Sequence, residues 1–314
     1  MTREGACYKI VYMSTDREIQ LTSKAKINLG LDITGRRVNG YHDVRMVMQT
    51  LAIGDDIRVA VSDGSTADKG CRIALECPGS NLPCDERNLA YRAAKLLADE
   101  YELTGTIDIR IDKKIPVAAG LAGGSSDAAA VLTALNELCD LGLSQQQLMD
   151  LGLTIGADVP FCILQGTALA EGVGEKLVSL PALPPTDVLL VKPAIDVSTK
   201  WAYESWDALE QPDHPDIDAL ADAISRGRDL GQIAGLLGNT FEDLVFGRCP
   251  EVRRIKEDMI RLGAAGALMT GSGPTVFGLF EDKASLVRAA DRIRQRWADT
   301  FIVCTKTVID FQKR

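Results

Sequence analysis

A glycine- and serine-rich stretch in the middle of the chain carries the residue types best suited to chemistry. It reads I-P-V-A-A-G-L-A-G-G-S-S-D from residue 115 to residue 127. Its glycines are Gly120, Gly123 and Gly124, and its hydroxyls belong to Ser125 and Ser126. Glycines let the backbone approach an anion without obstruction, and the start of a helix adds unpaired N–H groups with a partial charge of about +0.5. The stretch therefore predicts a phosphate-binding loop that opens a helix.

Rival interpretations of this stretch use the same residue types. A tight turn with a helix cap also favours glycine and serine, and a single glycine pair would indicate no more than that. The stretch is not a Walker A loop, because no G-K-[ST] follows, and it lacks the G-x-G-x-x-G dinucleotide pattern. The H-R-D and D-F-G signatures of protein kinases are absent as well. Three glycines and two hydroxyls together favour phosphate binding over a plain turn.

The elements on either side would position these N–H groups. Thr106–Ile115 alternates apolar and polar residues, with isoleucines at 107, 109 and 111, as a half-buried strand does. Ala128–Cys139 is rich in alanine and contains neither proline nor glycine, which is typical of a helix. We therefore expect the glycines in the connecting loop and Ser125–Asp127 where the helix begins.

An earlier strand and a later turn supply charged residues that could act beside such a loop. Ser23–Thr34 alternates in the same way, so that Lys26 and Asn28 share the polar face of a half-buried strand. Asp158 lies in the turn G-A-D-V-P. Taken singly, a strand lysine is usually a solvated edge residue, and an aspartate between glycine and proline is usually a turn former.

The composition argues against several classes of function. A net charge of −9 and a pI of 4.9 disfavour a protein that binds nucleic acid non-specifically. The eight cysteines form no C-x-x-C pair and several lie in apolar runs, which predicts buried free thiols in a reducing compartment. Two histidines argue against a histidine-rich metal site. No apolar run approaches the roughly 20 residues of a membrane span and Met1–Gln20 lacks a signal peptide, so a cytoplasmic protein is expected.

The rest of the chain mixes helices and strands, which predicts an α+β fold. Further strands are predicted at Val44–Leu51, Asp56–Ser62, Cys71–Cys77, Gly166–Gly172, Asp187–Pro193, Ala267–Thr270, Thr275–Phe280 and Phe301–Val308. Further helices are predicted at Asn88–Tyr101, Ser144–Gly152, Ser198–Leu209, Ile217–Ser225, Cys249–Leu262 and Lys283–Ala298. Met1–Leu21 reads as a tail or an extra strand, and Leu180–Thr186, with three of the chain's 12 prolines, is the predicted domain boundary.

Five segments between Ser23 and Phe280 resemble, in order, the motifs of the GHMP kinases, which phosphorylate small molecules such as galactose, homoserine, mevalonate and phosphomevalonate. They are S-x-A-K-I-N-L, G-x-x-x-x-G-Y-H, the glycine-rich stretch, G-A-D-V-P-F and G-S-G-P-T-V-F. The family loop is usually written P-x-x-x-G-L-G-[SG]-S-[SA], so Ala122 stands where glycine is commonest. Alanine would still leave room for phosphate if its φ is negative.

This resemblance implies a two-domain α+β GHMP kinase fold, with ATP and substrate in the cleft between the domains. An N-terminal extension would occupy residues 1–22. A domain like ribosomal protein S5 domain 2 would occupy residues 23–182, and a ferredoxin-like C-terminal domain residues 183–314. The resemblance does not decide between a monomer and a homodimer.

The G-Y-H and G-A-D-V-P segments point within this family to an ATP-dependent kinase that phosphorylates the 2-hydroxyl of 4-diphosphocytidyl-2-C-methyl-D-erythritol, in the non-mevalonate isoprenoid route. Asp158 would be the general base and Lys26 its cationic partner. Mg²⁺ would bridge phosphate oxygens, with Ser125 or Ser126 as a possible ligand. The ATP-binding residues would be Pro116, Val117, Ala118, Ala119, Gly120, Leu121, Ala122, Gly123, Gly124, Ser125 and Ser126.

The same resemblance implies how the substrate is recognised. Tyr41 and His42 match the cytidine-binding pair, and Asn28 would touch the methylerythritol end. Tyr203 would cover the other side of the base, although a core aromatic on a helix is an equal alternative. Gly271–Gly273 would lie at the rim of the site, or form a plain turn. Another GHMP kinase, a non-catalytic GHMP-fold regulator and a phosphate-turn protein without activity are the rival functions.

Overall fold

The structure, a computed structural model, describes residues 9–13, 16–63 and 70–308. The chain forms two units, each assembled from several stretches. The first unit contains the described residues of Met1–Ala25, Ile53–Ile115 and Ala122–Leu164. The second contains those of Lys26–Ala52, Pro116–Leu121 and Gln165–Arg314. The predicted division after residues 22 and 182 concerns sequence domains and stays a prediction.

The chain up to Leu164 begins with strands and ends with helices. Its elements are β1 (Lys9–Met13), β2 (Asp16–Arg36), β3 (His42–Ser62), β4 (Cys71–Glu76), α1 (Leu89–Glu100), β5 (Gly105–Asp112), α2 (Gly123–Leu138), α3 (Gln145–Ile155) and α4 (Val159–Leu164). The strand order is β1-β2-β3-β5-β4, in which β4 runs parallel to β5 and β5 antiparallel to β3. The isoleucines of β5 are buried as predicted, and they pack with the alanine-rich faces of α1 and α2 in the core of the first unit.

The chain after Leu164 builds most of the second unit. Its elements are β6 (Thr167–Glu171), β7 (Lys176–Leu180), β8 (Asp187–Lys192), α5 (Thr199–Asp207), α6 (Ile217–Ser225), α7 (Leu230–Ala234), β9 (Gly238–Asn239), α8 (Glu242–Arg248), α9 (Pro250–Arg261), β10 (Gly266–Met269), β11 (Val276–Phe280), α10 (Lys283–Arg296) and β12 (Phe301–Lys306). Strands β10, β11, β8 and β12 form an antiparallel sheet in that order. β6 pairs with the first half of β3, and β9 with β2. The predicted α+β class is confirmed.

One strand replaces the two that were predicted at Val44–Leu51 and Asp56–Ser62. β3 runs without a break from His42 to Ser62. At Gly54 a Cβ atom would lie 2.1 Å from the carbonyl oxygen of Ser23, so only glycine allows this close approach. Asp55 is fully buried and accepts a charged hydrogen bond, which compensates the cost of burying it. The sequence also failed to indicate three short helices, α4, α7 and α8.

The N-terminal prediction is resolved in part. β1 and the start of β2 pair antiparallel, which agrees with an extra strand rather than a tail, while residues 1–8 and 14–15 lie outside the described residues. The seven described cysteines are free thiols, as predicted, but only Cys77 and Cys162 are buried, and Cys84 and Cys304 are exposed. Cys7 lies outside the described residues. Across the described ranges, no helix combines the length and the apolar character that a membrane span requires.

Candidate active site

The glycine-rich stretch turns through three left-handed residues before α2 begins. The φ angles of Ala118, Gly120 and Ala122 are 51°, 72° and 57°. Left-handed residues that alternate with ordinary ones turn successive N–H groups to one side, which is the backbone pattern of anion-binding nests. A negative φ at Ala122, under which alanine was expected to leave room for phosphate, is therefore wrong. This alanine adopts a left-handed conformation that glycine would adopt without strain.

The helix after the stretch starts earlier than predicted. α2 begins at Gly123, so Gly123 and Gly124 form its first turn instead of the preceding loop. No side chain caps this end, because Ala122 occupies the N-cap position. At Gly123 a Cβ atom would lie 3.0 Å from the Ile115 side chain, which explains why the first helical residue is small. The first turn of α2 keeps backbone N–H groups available for an anion.

Ser125 and Ser126, the two candidate magnesium ligands, have different surroundings. The hydroxyl of Ser126 is buried and donates to the carbonyl oxygen of Lys24 at 2.7 Å. Ser125 is half-buried, and its Oγ lies 3.7 Å from the position that a Cβ would take at Gly156. Ser125 therefore lies beside the turn that carries Asp158, whereas the Ser126 hydroxyl is hydrogen-bonded to the backbone of β2.

Asp158 lies in that turn, immediately before α4. It is half-buried, and its carbonyl oxygen accepts the N–H of Cys162, so it opens the helix as an N-terminal residue. The turn Gly156–Asp158 belongs to the first unit together with α2. The turn-forming interpretation is thus correct for its backbone.

Lys26 and Asn28 lie in a buried hydrogen-bond network of the second unit. Lys26 Nζ donates to Asn28 Oδ1 at 2.8 Å, and Lys26 N donates to the carbonyl oxygen of Leu121 at 3.1 Å. Asn28 N donates to Thr270 Oγ1 at 3.0 Å, and that hydroxyl lies 3.4 Å from the carbonyl oxygen of Gly120. Lys26 is only 4% exposed, so the solvated-edge interpretation of this lysine is wrong. The network connects the middle of β2 to the glycine-rich stretch.

The turn Gly271–Gly273 packs against the same stretch. At Gly120 a Cβ atom would lie 2.4 Å from the carbonyl oxygen of Thr270, so the two glycine turns touch through their backbones. Asn239 holds the turn from the other side, because its Nδ2 donates to the carbonyl oxygens of Met269 and Gly271 at 2.7 and 2.8 Å. Sequence reasoning missed Thr270 and Asn239, since neither lies in a recognisable local pattern.

A buried charged cluster, also missed from the sequence, lies at the start of α2. Lys113 Nζ donates to Asp55 Oδ2 at 2.5 Å and to Asp127 Oδ2 at 2.8 Å, and Ser23 Oγ donates to Asp127 Oδ1 at 2.6 Å. Asp55 Oδ1 also accepts the two backbone N–H groups that follow Lys113. Burial raises the pKa of Asp127 to about 6, although Lys113 opposes this rise. Burial disfavours the charged Lys113, but attraction to Asp127 and Asp55 outweighs it and raises the lysine pKa.

Two of the predicted substrate residues, His42 and Tyr203, are in contact in the second unit, and Tyr41 precedes His42 in the chain. Tyr41 is 63% exposed on the turn before β3, whereas His42 is buried. The His42 ring stacks on Tyr203 with 4.7 Å between ring centroids and 30° between planes. Tyr203 is half-buried and also meets Phe241 edge-on at 5.0 Å. Tyr203 is therefore more than an isolated core aromatic, because it supports one face of the His42 ring.

Two family models match this chain. The model described as the GHMP kinases N terminal domain matches residues 88–166, and the GHMP kinases C terminal model matches residues 208–299. The first match spans the glycine-rich stretch and the Asp158 turn. The second begins after Tyr203 and Trp206, the aromatic partners of His42, and includes the Gly271–Gly273 turn.

Similar proteins show which group within the GHMP kinases this chain resembles. The chain is 46% identical over 289 residues to a 4-diphosphocytidyl-2-C-methyl-D-erythritol kinase of Lachnospira eligens, covering 92% of this chain and 98% of the relative. A crystal structure of 4-(cytidine 5'-diphospho)-2C-methyl-D-erythritol kinase is 33% identical with a TM-score of 0.75, covering 92% and 99% of the two chains. A homoserine kinase structure from Cytophaga hutchinsonii has the same TM-score of 0.75 at 18% identity, over 96% and 97%, and shares the fold alone. The chain belongs to the GHMP kinases, and within them to the family of the 4-diphosphocytidyl-2-C-methyl-D-erythritol kinases.

Proposed function

We propose that this ATP-dependent small-molecule kinase transfers the γ-phosphoryl group of ATP to the 2-hydroxyl of 4-diphosphocytidyl-2-C-methyl-D-erythritol, as a cytoplasmic step of the non-mevalonate isoprenoid route. The observation that carries the proposal is the 46% identity to a kinase named for this substrate over 92% of the chain. The sequence division after residues 22 and 182 is part of the same proposal.

The glycine-rich stretch from Pro116 to Ser126 would bind the phosphates of ATP. Left-handed φ angles at Ala118, Gly120 and Ala122 support this role, because they direct N–H groups to one side. The uncapped start of α2 supports it as well, since its first-turn N–H groups favour an anion. Backbone donors of this kind hold phosphate without the mobility of long side chains.

Asp158 would accept the proton of the 2-hydroxyl while the new P–O bond forms. A tertiary alcohol is a weak nucleophile, so a carboxylate within reach lowers the barrier to attack. Lys26 would assist this base as its cationic partner and would stabilise the charge that develops on the transferred phosphoryl group. Within the second unit, the backbone N–H of Lys26 donates to the carbonyl oxygen of Leu121, which supports a role for this lysine beside the glycine-rich stretch. Within the first unit, the turn of Asp158 lies beside Ser125, which supports a role for the aspartate separately.

Mg²⁺, which the family implies, would neutralise phosphate oxygens and orient the transferred group. The donor set of this chain fits such an ion, because a nucleotide-borne Mg²⁺ takes few protein ligands and the half-buried Ser125 carries a hydroxyl. Ser126 is a poorer candidate, since its proton is donated to Lys24.

The cytidine end would bind at Tyr41 and His42. An exposed tyrosine ring can stack on a pyrimidine, and the buried imidazole can meet the edge of the base. Tyr203 would complete this site through its stacking on His42. Asn28 would bind the methylerythritol end. Its side-chain oxygen accepts from Lys26, and its backbone N–H donates to Thr270.

A panel of alcohols tests the function. Purified protein with ATP and Mg²⁺ should phosphorylate 4-diphosphocytidyl-2-C-methyl-D-erythritol, and mevalonate or homoserine only at background rates. ADP release detects every acceptor in the same assay, and ³¹P NMR identifies the new phosphomonoester. Turnover of mevalonate or homoserine in preference to the cytidylyl alcohol would contradict the substrate. Nucleotide binding without turnover of any alcohol would favour a non-catalytic ligand-binding protein.

A further inference from the structure

One face of α5 surrounds the imidazole of His42. Tyr203, Trp206 and Asp207 are spaced i, i+3, i+4 on this helix and therefore share a face. Tyr203 stacks on the His42 ring, and Trp206 meets it edge-on with 6.0 Å between centroids and 86° between planes. Trp206 is itself held in place, because its Nε1 donates to Thr240 Oγ1 at 2.9 Å. The plane of the imidazole is thus fixed by aromatic contacts on two sides.

The third residue of this face binds one ring nitrogen. His42 Nε2 lies 2.7 Å from Asp207 Oδ1, and Arg36 Nη1 lies 3.2 Å from the other oxygen, Oδ2. A carboxylate can only accept hydrogen bonds, so the proton of this contact belongs to Nε2. Among the described residues, Asp207 is the one hydrogen-bond partner of the His42 ring. In the neutral ring, Nδ1 must then be an acceptor.

The second histidine of the chain has the opposite arrangement. His214 Nδ1 lies 2.9 Å from Asp32 Oδ1, so its proton belongs to Nδ1 in the neutral ring. His214 meets the same Trp206 edge-on at 6.3 Å, within the same unit. The two histidines therefore provide matched rings with opposite expected tautomers, and each has its own aspartate.

We propose that Asp207, supported by Arg36, is a positioning residue that fixes the tautomer of His42 and so makes Nδ1 an acceptor for an amino group of the ligand. This inference rests on the proposed function, in which His42 meets the edge of the cytosine base. Cytosine presents an exocyclic amino donor where uracil presents a carbonyl acceptor. A histidine acceptor pairs with the first and leaves the second unsatisfied. Asp207 thereby determines the preference for a cytidylyl over a uridylyl ligand.

NMR of the imidazole nitrogens tests the tautomers directly in the wild-type protein. With two histidines in the chain, ¹⁵N-histidine labelling gives two ring systems, which the variant His214→Gln assigns. Spectra are recorded as a pH series until each ring is neutral. His42 should carry its proton on Nε2 and His214 on Nδ1. Asp207→Ala should change the His42 pattern and leave that of His214. A His42 ring protonated on Nδ1, or one that keeps both protons throughout the pH range of turnover, would overturn the proposal.

Ligand discrimination tests the consequence. Binding of CDP and UDP is measured by calorimetry, which needs no turnover. Wild-type protein should prefer CDP, and Asp207→Ala should weaken CDP binding about tenfold, the value of one net hydrogen bond, with UDP binding little changed. Asp207→Glu should restore part of the preference. Glu204→Ala, an exposed carboxylate on the same helix, is the matched control and should behave as wild type.

The kinetic outcome separates the two proposals. In Asp207→Ala, KM for the cytidylyl alcohol should rise about tenfold while kcat and KM for ATP stay near wild type. A fall in kcat with an unchanged KM would overturn the positioning role. If wild-type protein prefers CDP with the expected tautomers but leaves the alcohol untouched, the proposed reaction fails while the role of Asp207 stands. Equal binding of CDP and UDP by wild type would reject the role of Asp207 whatever the reaction.

Discussion

Asn28 and Thr270 are joined by a buried hydrogen bond across 242 residues of chain, from the backbone N–H of Asn28 to Thr270 Oγ1 at 3.0 Å. The same hydroxyl lies 3.4 Å from Asn28 Oδ1 and 3.4 Å from the carbonyl oxygen of Gly120. Both side chains are fully buried. One threonine hydroxyl therefore connects β2, the Gly271–Gly273 turn and the glycine-rich stretch within the second unit.

Replacing the Thr270 hydroxyl by a methyl group should lower the stability and kcat of the kinase, although the two groups are similar in size. In Thr270→Val the N–H of Asn28 loses its acceptor in a buried site, which costs about 1–3 kcal/mol. If the loss also disturbs the geometry needed in the transition state, kcat falls about 10- to 100-fold. Thr270→Ser keeps the hydroxyl and should remain close to wild type. Steady-state kinetics and thermal midpoints of the two variants check this, and a valine variant with wild-type kcat and stability would refute it.

Asp158→Asn should abolish turnover while nucleotide binding persists. An amide has the shape of the carboxylate but cannot take the proton of the attacking hydroxyl, so kcat should fall about 10²- to 10⁴-fold. Calorimetry with ATP shows whether the phosphate site is intact. Asp150→Asn, an exposed carboxylate on the neighbouring helix α3, is the control and should retain activity. An Asp158→Asn enzyme with near-normal kcat would remove this residue from the role of base.

The sequence predicted elements whose signals are local. α6 matches its predicted range from Ile217 to Ser225, because apolar spacing and the Asp216 cap both mark it. The gap between the strands predicted at Val44–Leu51 and Asp56–Ser62 is wrong, because Gly54 packs against Ser23 and Asp55 pairs with Lys113, contacts that the neighbouring residues do not indicate. The short helix α4 was missed because six residues are too few to show a helical period.

In the candidate site, too, the sequence indicated what local motifs carry and missed what distant residues contribute. The glycines, Lys26 and Asp158 lie in recognisable motifs, so their residue types indicated the chemistry before any fold was known. The residues that hold these groups in place do not lie in recognisable motifs. Asp207 meets His42 across 165 residues, and no composition or period predicts which distant side chain will reach a given ring nitrogen. Long-range polar pairs depend on the tertiary fold and require the structure to be identified.

Tyr41→Ala should weaken binding of the cytidylyl substrate far more than binding of ATP. The tyrosine ring is 63% exposed, as a ring would be that stacks on a ligand rather than in a core. Loss of base stacking costs about 1–3 kcal/mol, so KM for the alcohol should rise about 5- to 150-fold. Val38→Ala is a matched control, since Val38 is fully exposed on the same turn. Equal increases in KM for the alcohol and for ATP would contradict stacking by Tyr41.

Ala122→Gly should stabilise the protein, unlike most alanine-to-glycine changes. Ala122 has a φ of +57°, a conformation that costs alanine about 1 kcal/mol and glycine very little. The gain is offset in part by the greater freedom of glycine in the unfolded chain, so the thermal midpoint should rise by a few degrees at most. Ala119→Gly is the control in the same stretch. Ala119 is buried and is not among the left-handed residues, so its replacement should lower the midpoint. A lower midpoint for both variants would contradict the strain assigned to Ala122.

Asp127→Asn should become more stable relative to wild type as the pH rises. Burial raises the pKa of Asp127 from 3.8 to about 6, so the folded protein binds this proton more tightly than the unfolded chain. Its contribution to stability is therefore present below about pH 4 and is lost as the pH rises through about 6. Asparagine does not titrate, so the unfolding free energy of wild type should fall relative to the variant over this window by at most about 3 kcal/mol. Thermal midpoints of both proteins at a series of pH values measure the difference. A difference that stays constant, or one that changes in the opposite direction, would show that Lys113 and Ser23 compensate the burial of this carboxylate in full.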